Sequence, residues 1–229
     1  MSANHDHEVA VKWYQTGELP KAKIFCAKVL SKKPKHALAL QLMGLIAHRE
    51  GNYAMAIEWA LKAVSAKTNF AEAYNSLGAA YLANDNFDGA LDSFRMGVEI
   101  QPENIRLLAN YAAVLKECGM ISESIEVHQS VLKANPGWHE ARSSLLLISH
   151  YLPGHDPMAL FDGHRKWSFL HASAHLPKSE TPSNCVEKDT RRLRVGFVSP
   201  DLRDHPVARF ITPYIENHDS QNFELFVYA

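Results

Sequence analysis

The chain has 229 residues, 46% hydrophobic and 21% charged, with a formal net charge of -1. That composition fits a folded protein of one large or two modest domains, and it lacks the basic field that nucleic acid or an anionic membrane would call for. Cys26, Cys118 and Cys185 are far apart with no CxxC, which fits reduced thiols better than a disulfide framework, and no segment reaches the roughly 20 apolar residues of a bilayer span, so a cytoplasmic setting is expected.

From the N-terminus the chain repeats itself every 34 residues. Pro34, Pro102 and Pro136 fall on that spacing, with Thr68 in the missing place. Gly17, Gly51 and Gly119 form a second column, filled by Asp85 in the third repeat. Ala22, Ala56, Ala90 and Ser124 form another, and Leu19, Tyr53, Phe87 and Ile121 a further one. Four repeats result, at 3–36, 37–70, 71–104 and 105–138. Each predicts two helices. Tyr74, Leu77, Gly78 and Tyr81 lie at i, i+3, i+4 and i+7 on one helical face, and Phe87, Ala90, Phe94 and Val98 mark the next. Gly78 and Ala90 let the paired helices approach closely. The prolines follow the second helix, where a residue without an N–H ends it. Trp13, Tyr53, Tyr81, Phe87 and Phe94 are assigned to the core.

The stretch "AEAYNSLGAAYLANDNFDGALDSFRMGVEIQP" closely resembles the tetratricopeptide repeat. That resemblance implies an αα superhelix with a groove that receives peptide segments. Residues 139–150 are expected to cap the last repeat, so the array spans 1–150. Residues 151–192 follow as a connecting helix, begun by Asp156 and Pro157 and expected to run to 174, and a polar linker over 178–192.

The pattern then changes. "LRVGFV" (193–198) predicts a strand, "SPDLRDHP" a loop, Pro206 onward a helix that Pro213 should end or kink, and "FELFVYA" (223–229) a second strand. Strand, helix and strand in that order make a parallel βαβ unit. A lone parallel pair cannot cover its own faces, so the unit is expected to be the first piece of a larger sheet that this sequence cuts short. The fold class expected is mainly α, a tetratricopeptide-repeat superhelix followed by a short, incomplete Rossmann-like α/β segment over 193–229.

Repeats, the "HRKW" helix and "LRVGFVSPDLRDHPVARF" together resemble the protein O-GlcNAc transferase and SPINDLY-type family. The resemblance implies a GT-B glycosyltransferase that moves N-acetylglucosamine from a UDP-sugar to Ser or Thr of an acceptor protein held by the repeats. It implies no resident cofactor; the UDP-sugar is the donor substrate. His205 matches the family's active-site histidine, a group that could accept a hydroxyl proton or orient a phosphate, and Asp201, on the same loop at the carboxyl end of a parallel strand where α/β sheets place ligands, is the second catalytic candidate. Asn75 and Asn110 are candidate groove residues, because an amide donates and accepts at once. Most nucleotide-sugar contacts of the family lie in a second lobe that 193–229 do not include, so the chain alone is expected to be inactive. The alternative is a non-catalytic repeat scaffold for protein–protein interaction. Of the 13 histidines, His5 and His7 form an HxH, and His171 and His175 stand at i, i+4. No metal site is expected from them, because no HExxH or cysteine pair supports them.

Overall fold

The 34-residue period becomes helix pairs. In the computed structural model, which describes residues 2–173 and 192–228, α1 (Ala3–Gln15) pairs with α2 (Leu19–Lys32), and α3 (Ala37–Arg49) with α4 (Tyr53–Ala66). In turn α5 (Ala71–Ala83) pairs with α6 (Phe87–Ile100), and α7 (Ile105–Glu117) with α8 (Ile121–Ala134). The cap α9 (His139–Ser149) packs on α8, and α10 (Pro157–Trp167) packs on α9.

Local chemistry sets the boundaries. Within each pair the chain reverses through three residues, which forces one of them into the left-handed region. Gly17, Gly51 and Gly119 take φ of 82°, 75° and 76°, and Asp85 takes the same place at 56°. The glycine column is therefore a backbone requirement, met by Asp85 because a short polar side chain tolerates that region. The following helices are capped by side chains where the residue allows it. The Oδ1 of Asn52 accepts from the Met55 N–H at 3.1 Å, and that of Asn86 from the Gly89 N–H at 2.9 Å.

Small residues bring the paired helices together. Ala10, Ala22, Ala56 and Ala90 are buried. A Cβ at Gly78 would stand 2.8 Å from the Phe94 ring, and one at Gly44 would stand 3.3 Å from the Ala56 carbonyl oxygen. The core is a chain of neighbouring clusters, one grouped on Ala10, Cys26 and Ile46, one on Leu40, Ala63 and Leu77, and one on Ala90, Phe94 and Leu107. Phe94 is buried as expected, and Trp13, Tyr53 and Tyr81 are half-buried. Phe87 departs from expectation, being 40% exposed. It is the first residue of α6, at the rim beside the turn, and Leu19, Tyr53 and Ile121 in the same column are likewise only half-buried.

The connecting helix changes its winding before the predicted end. The α-helical run stops at Trp167, and Ser168–Ala172 wind as a π-helical turn. Trp167 Nε1 donates to the His139 carbonyl at 3.4 Å, and a Cβ on Gly163 would come within 2.7 Å of Leu146. α10 thus lies tightly on α9. The expected end at 174, the linker, His175 and Cys185 lie outside the described residues.

The chain divides into two compact units, residues 1–176 and 177–229. In the second, β1 (Leu193–Val198) and β2 (Phe223–Tyr228) pair in parallel, with Leu193 opposite Phe223 and Val198 opposite Tyr228, joined through α11 (Pro206–Glu216). Arg194 and Glu224 share a register position and an ion pair of 2.9 Å. Pro213 does not end the helix; α11 runs to Glu216. Only one turn lies beyond it, and the Pro213 carbonyl still accepts from the backbone N–H and the side-chain amide of Asn217. Val198, Phe210 and Tyr214 are largely exposed. Among the described residues, no helix is long and apolar enough to cross a membrane.

Candidate functional site

The first helices of successive repeats, α1, α3, α5 and α7, touch one another in order and build one wall. A line of polar contacts crosses it. Arg49 Nη1 donates to the Tyr14 carbonyl at 3.0 Å, and its guanidinium lies over the Tyr14 ring. Gln41 Nε2 donates to Ser76 Oγ at 3.2 Å, and Asn110 Nδ2 donates to Asn75 Oδ1 at 2.8 Å. All three contacts join residues 35 apart, one more than the repeat. Alignment at 34 hides this ladder; a search at 35 would have exposed Gln41–Ser76 and Tyr14–Arg49 as well as the asparagine pair.

Beside Asn110 a cavity of about 320 Å³ opens, walled by His48, Ala79, Leu82, Phe94 and Ala113. The wall therefore combines an apolar recess with an amide pair. The pair uses one donor and one acceptor internally, and the Asn110 Oδ1 and Asn75 Nδ2 atoms stand outside that bond.

Asp201 and His205 lie on the loop that leaves the carboxyl end of β1, with no hydrogen bond between them among the described residues. The backbone N–H of Asp201 donates to Ser199 Oγ at 3.2 Å, shaping the first turn of the loop. His205 is the N-cap of α11; its Nδ1 accepts from the Val207 N–H at 3.3 Å. That bond has a chemical consequence. With Nδ1 an acceptor, the neutral ring carries its proton on Nε2, which then donates rather than accepts. Ion pairing of Arg209 with Asp204, at 3.4 Å, ties the loop to the first turn of the same helix.

Among the described residues, no three His, Cys, Asp or Glu side chains converge on one point. His150 and His164 approach with Nε2 atoms 3.2 Å apart, joining the end of α9 to α10. His171 packs on the rings of His139 and Trp167.

The tetratricopeptide-repeat family profile matches residues 37–70 and 71–104, the second and third helix pairs. The chain is a tetratricopeptide-repeat protein. This repeat protein is 27% identical over 107 residues to a probable UDP-N-acetylglucosamine–peptide N-acetylglucosaminyltransferase SPINDLY of Oryza sativa subsp. japonica, a match covering 46% of the chain and 11% of the relative. It resembles a solved Thermobaculum terrenum O-GlcNAc transferase mutant with a TM-score of 0.62 and 29% identity, over 84% of this chain and 37% of that one. The protein YrrB, described as a TPR protein with an unusual peptide-binding site, shares the fold, with a TM-score of 0.64 and 18% identity over 76% of this chain and 89% of its own. The repeat protein thus spans about a tenth of the rice relative's length and little more than a third of the transferase's.

Proposed function

We propose that the repeats are the acceptor-binding arm, and residues 193–229 the first catalytic segment, of a glycosyltransferase of the protein O-GlcNAc transferase type. One observation carries this reading. A wall of tetratricopeptide repeats is followed in the same chain by a parallel βαβ unit whose first loop leads, through His205, into a helix N-terminus. The likeness to the Thermobaculum terrenum transferase supports it, because that match covers more of the chain than the array of 1–150 makes up.

In this reading the Asn75–Asn110 pair and the adjoining recess hold an extended acceptor segment, the amides meeting its backbone and the recess an apolar side chain. Recognition through the backbone is tolerant of the acceptor's sequence. His205 works as a donor. Its Nε2–H stabilises negative charge on a phosphate oxygen of the UDP-sugar, and its Nδ1 keeps the ring in that tautomer. The free N–H groups at the start of α11 add a positive dipole end to the same task. Asp201 shapes the loop. Transfer is assigned to the whole gene product and not to residues 1–229 alone, which supply a single candidate catalytic side chain.

The test is transfer of labelled N-acetylglucosamine from its UDP ester by the whole gene product, with His205→Ala and His205→Gln variants. His205→Ala is expected to lose most of the rate, and His205→Gln to recover part of it, since an amide can still donate. Full activity of His205→Ala would remove His205 from the site. A second reading, a repeat scaffold without catalysis, has its own support in YrrB, which the chain matches over most of that protein's length. It would prevail if the whole product bound peptides yet transferred no sugar from any UDP donor.

A further inference from the structure

Where one repeat passes into the next, the junctions α2–α3 and α4–α5 form a trough that includes the first turn of α3. Two adjoining depressions of about 590 and 850 Å³ share Pro34, Lys35 and Ala66 in their lining. The floor is apolar, with Leu61 and Leu38 left 41% and 47% exposed. The rim is cationic: Lys33, Lys35, Lys62 and Lys67 line it against one carboxylate, Glu58. None of these four lysines takes part in an ion pair among the described residues. Two are held in place by aromatic faces, Lys62 Nζ at 4.4 Å from the Trp59 ring centroid and Lys67 Nζ at 5.0 Å from that of Phe70.

The repeat fold does not demand this charge. The sites equivalent to Lys33-Pro34-Lys35 are Gln101-Pro102-Glu103 and Asn135-Pro136-Gly137 in the later repeats, where the same turn forms with no cation. Helix C-termini favour lysine, which accounts for Lys33 and Lys67 but not for Lys35. A cationic rim over an apolar floor, in a chain whose net charge is -1, is selective for a ligand that carries both acid and apolar groups.

We propose that this trough docks an acidic peptide segment bearing an apolar anchor, at a site distinct from the Asn75–Asn110 pair and the recess beside it. Nucleic acid fits less well, because neither adjoining ring offers a stacking face: Phe70 is buried and the Trp59 ring carries Lys62. The anchor seats on Leu38 and Leu61, and carboxylates meet the four ammonium groups.

Fluorescence anisotropy with fluorescein-labelled Glu-Asp-Leu-Glu-Asp-Leu tests it. The chain should bind this peptide saturably. Lys35→Glu/Lys67→Glu should weaken binding about ten-fold or more, two charge contacts being lost and reversed. Leu61→Asn, or Ser for Leu in the peptide, should weaken it several-fold, and Lys12→Glu/Lys133→Glu, the same charge change elsewhere, by less than about two-fold. Circular dichroism melts establish that each variant is folded. No binding by the folded parent chain overturns the proposal. So does equal binding of the Leu-free peptide or of a short oligothymidine, which would show a polyanion site only. Sedimentation revealing a dimer that Lys35→Glu/Lys67→Glu dissociates would assign the trough to a second copy and also overturn it.

Discussion

Replacing Gly78 by Ala puts two opposing effects on one position. In a helix interior alanine is favoured over glycine by about 1 kcal/mol. Against that, the new methyl would stand 2.8–2.9 Å from three atoms of the Phe94 ring, well inside van der Waals contact. Phe94 is 1% exposed and packs in the cluster with Ala90 and Leu107, so its ring can yield only toward the recess it walls, at the expense of those contacts. Overpacking of such a site costs about 1–3 kcal/mol, so the net effect is a loss of about 1 kcal/mol. Phe94→Leu alone should cost a further amount of about 1–2 kcal/mol by opening a void. In the double variant the methyl occupies part of that void, and the two losses should fall short of their sum by about 1 kcal/mol. Urea unfolding followed by circular dichroism at 222 nm measures all four corners of the cycle. A Gly78→Ala chain more stable than the parent, or strict additivity, would refute the close packing argued for this helix pair.

Asp85→Gly should raise stability by a few tenths to about 1 kcal/mol, because it relieves a left-handed φ of 56° in a non-glycine residue; a loss in urea midpoint would count against the shared turn geometry. His128 is buried with Nδ1 2.8 Å from the Ser124 carbonyl, and burial, with a lesser contribution from Lys116, holds its pKa below the usual 6.5. Below pH 6.5 the unfolded chain therefore takes a proton that the folded chain resists, and stability should fall as pH drops. His128→Gln should flatten that fall; a parent chain that gains stability between pH 7 and 5 would contradict it. Burial pushes the Cys26 thiol up to about 12, so in a Cys118→Ser/Cys185→Ser chain Ellman's reagent should react only after unfolding. Prompt reaction in the native state would show Cys26 to be accessible.

The repeat array was legible because the same steric problem recurs every 34 residues. A reversal in three residues demands a left-handed position, and close helix pairs demand Gly or Ala at their crossing, so both leave columns in the sequence. The parallel βαβ unit was legible from its short apolar strands and the intervening Pro206. Other features leave no such periodic mark. The rim position of Phe87 follows from its place as the first residue of α6, not from its apolarity. The change from α to π winding after Trp167 has no counterpart in the apolar spacing of 157–172. The polar ladder escaped an alignment at 34 because lateral contacts between helices are displaced by one residue. The backbone contact of His205, which sets its tautomer, depends on the geometry of the turn into α11 rather than on residue type.

Division of labour between the repeats and the β1–α11 loop is the centre of the account. It is tested most directly by steady-state transfer with the whole gene product, measured on a protein acceptor and, in parallel, as hydrolysis of the UDP-sugar without acceptor. Asn75→Ala/Asn110→Ala should raise KM for the acceptor several-fold and leave donor hydrolysis unchanged, whereas His205→Ala should lower kcat in both reactions. Loss of donor hydrolysis in the asparagine variant, or an unchanged acceptor KM, would contradict the assignment of acceptor binding to the repeat wall.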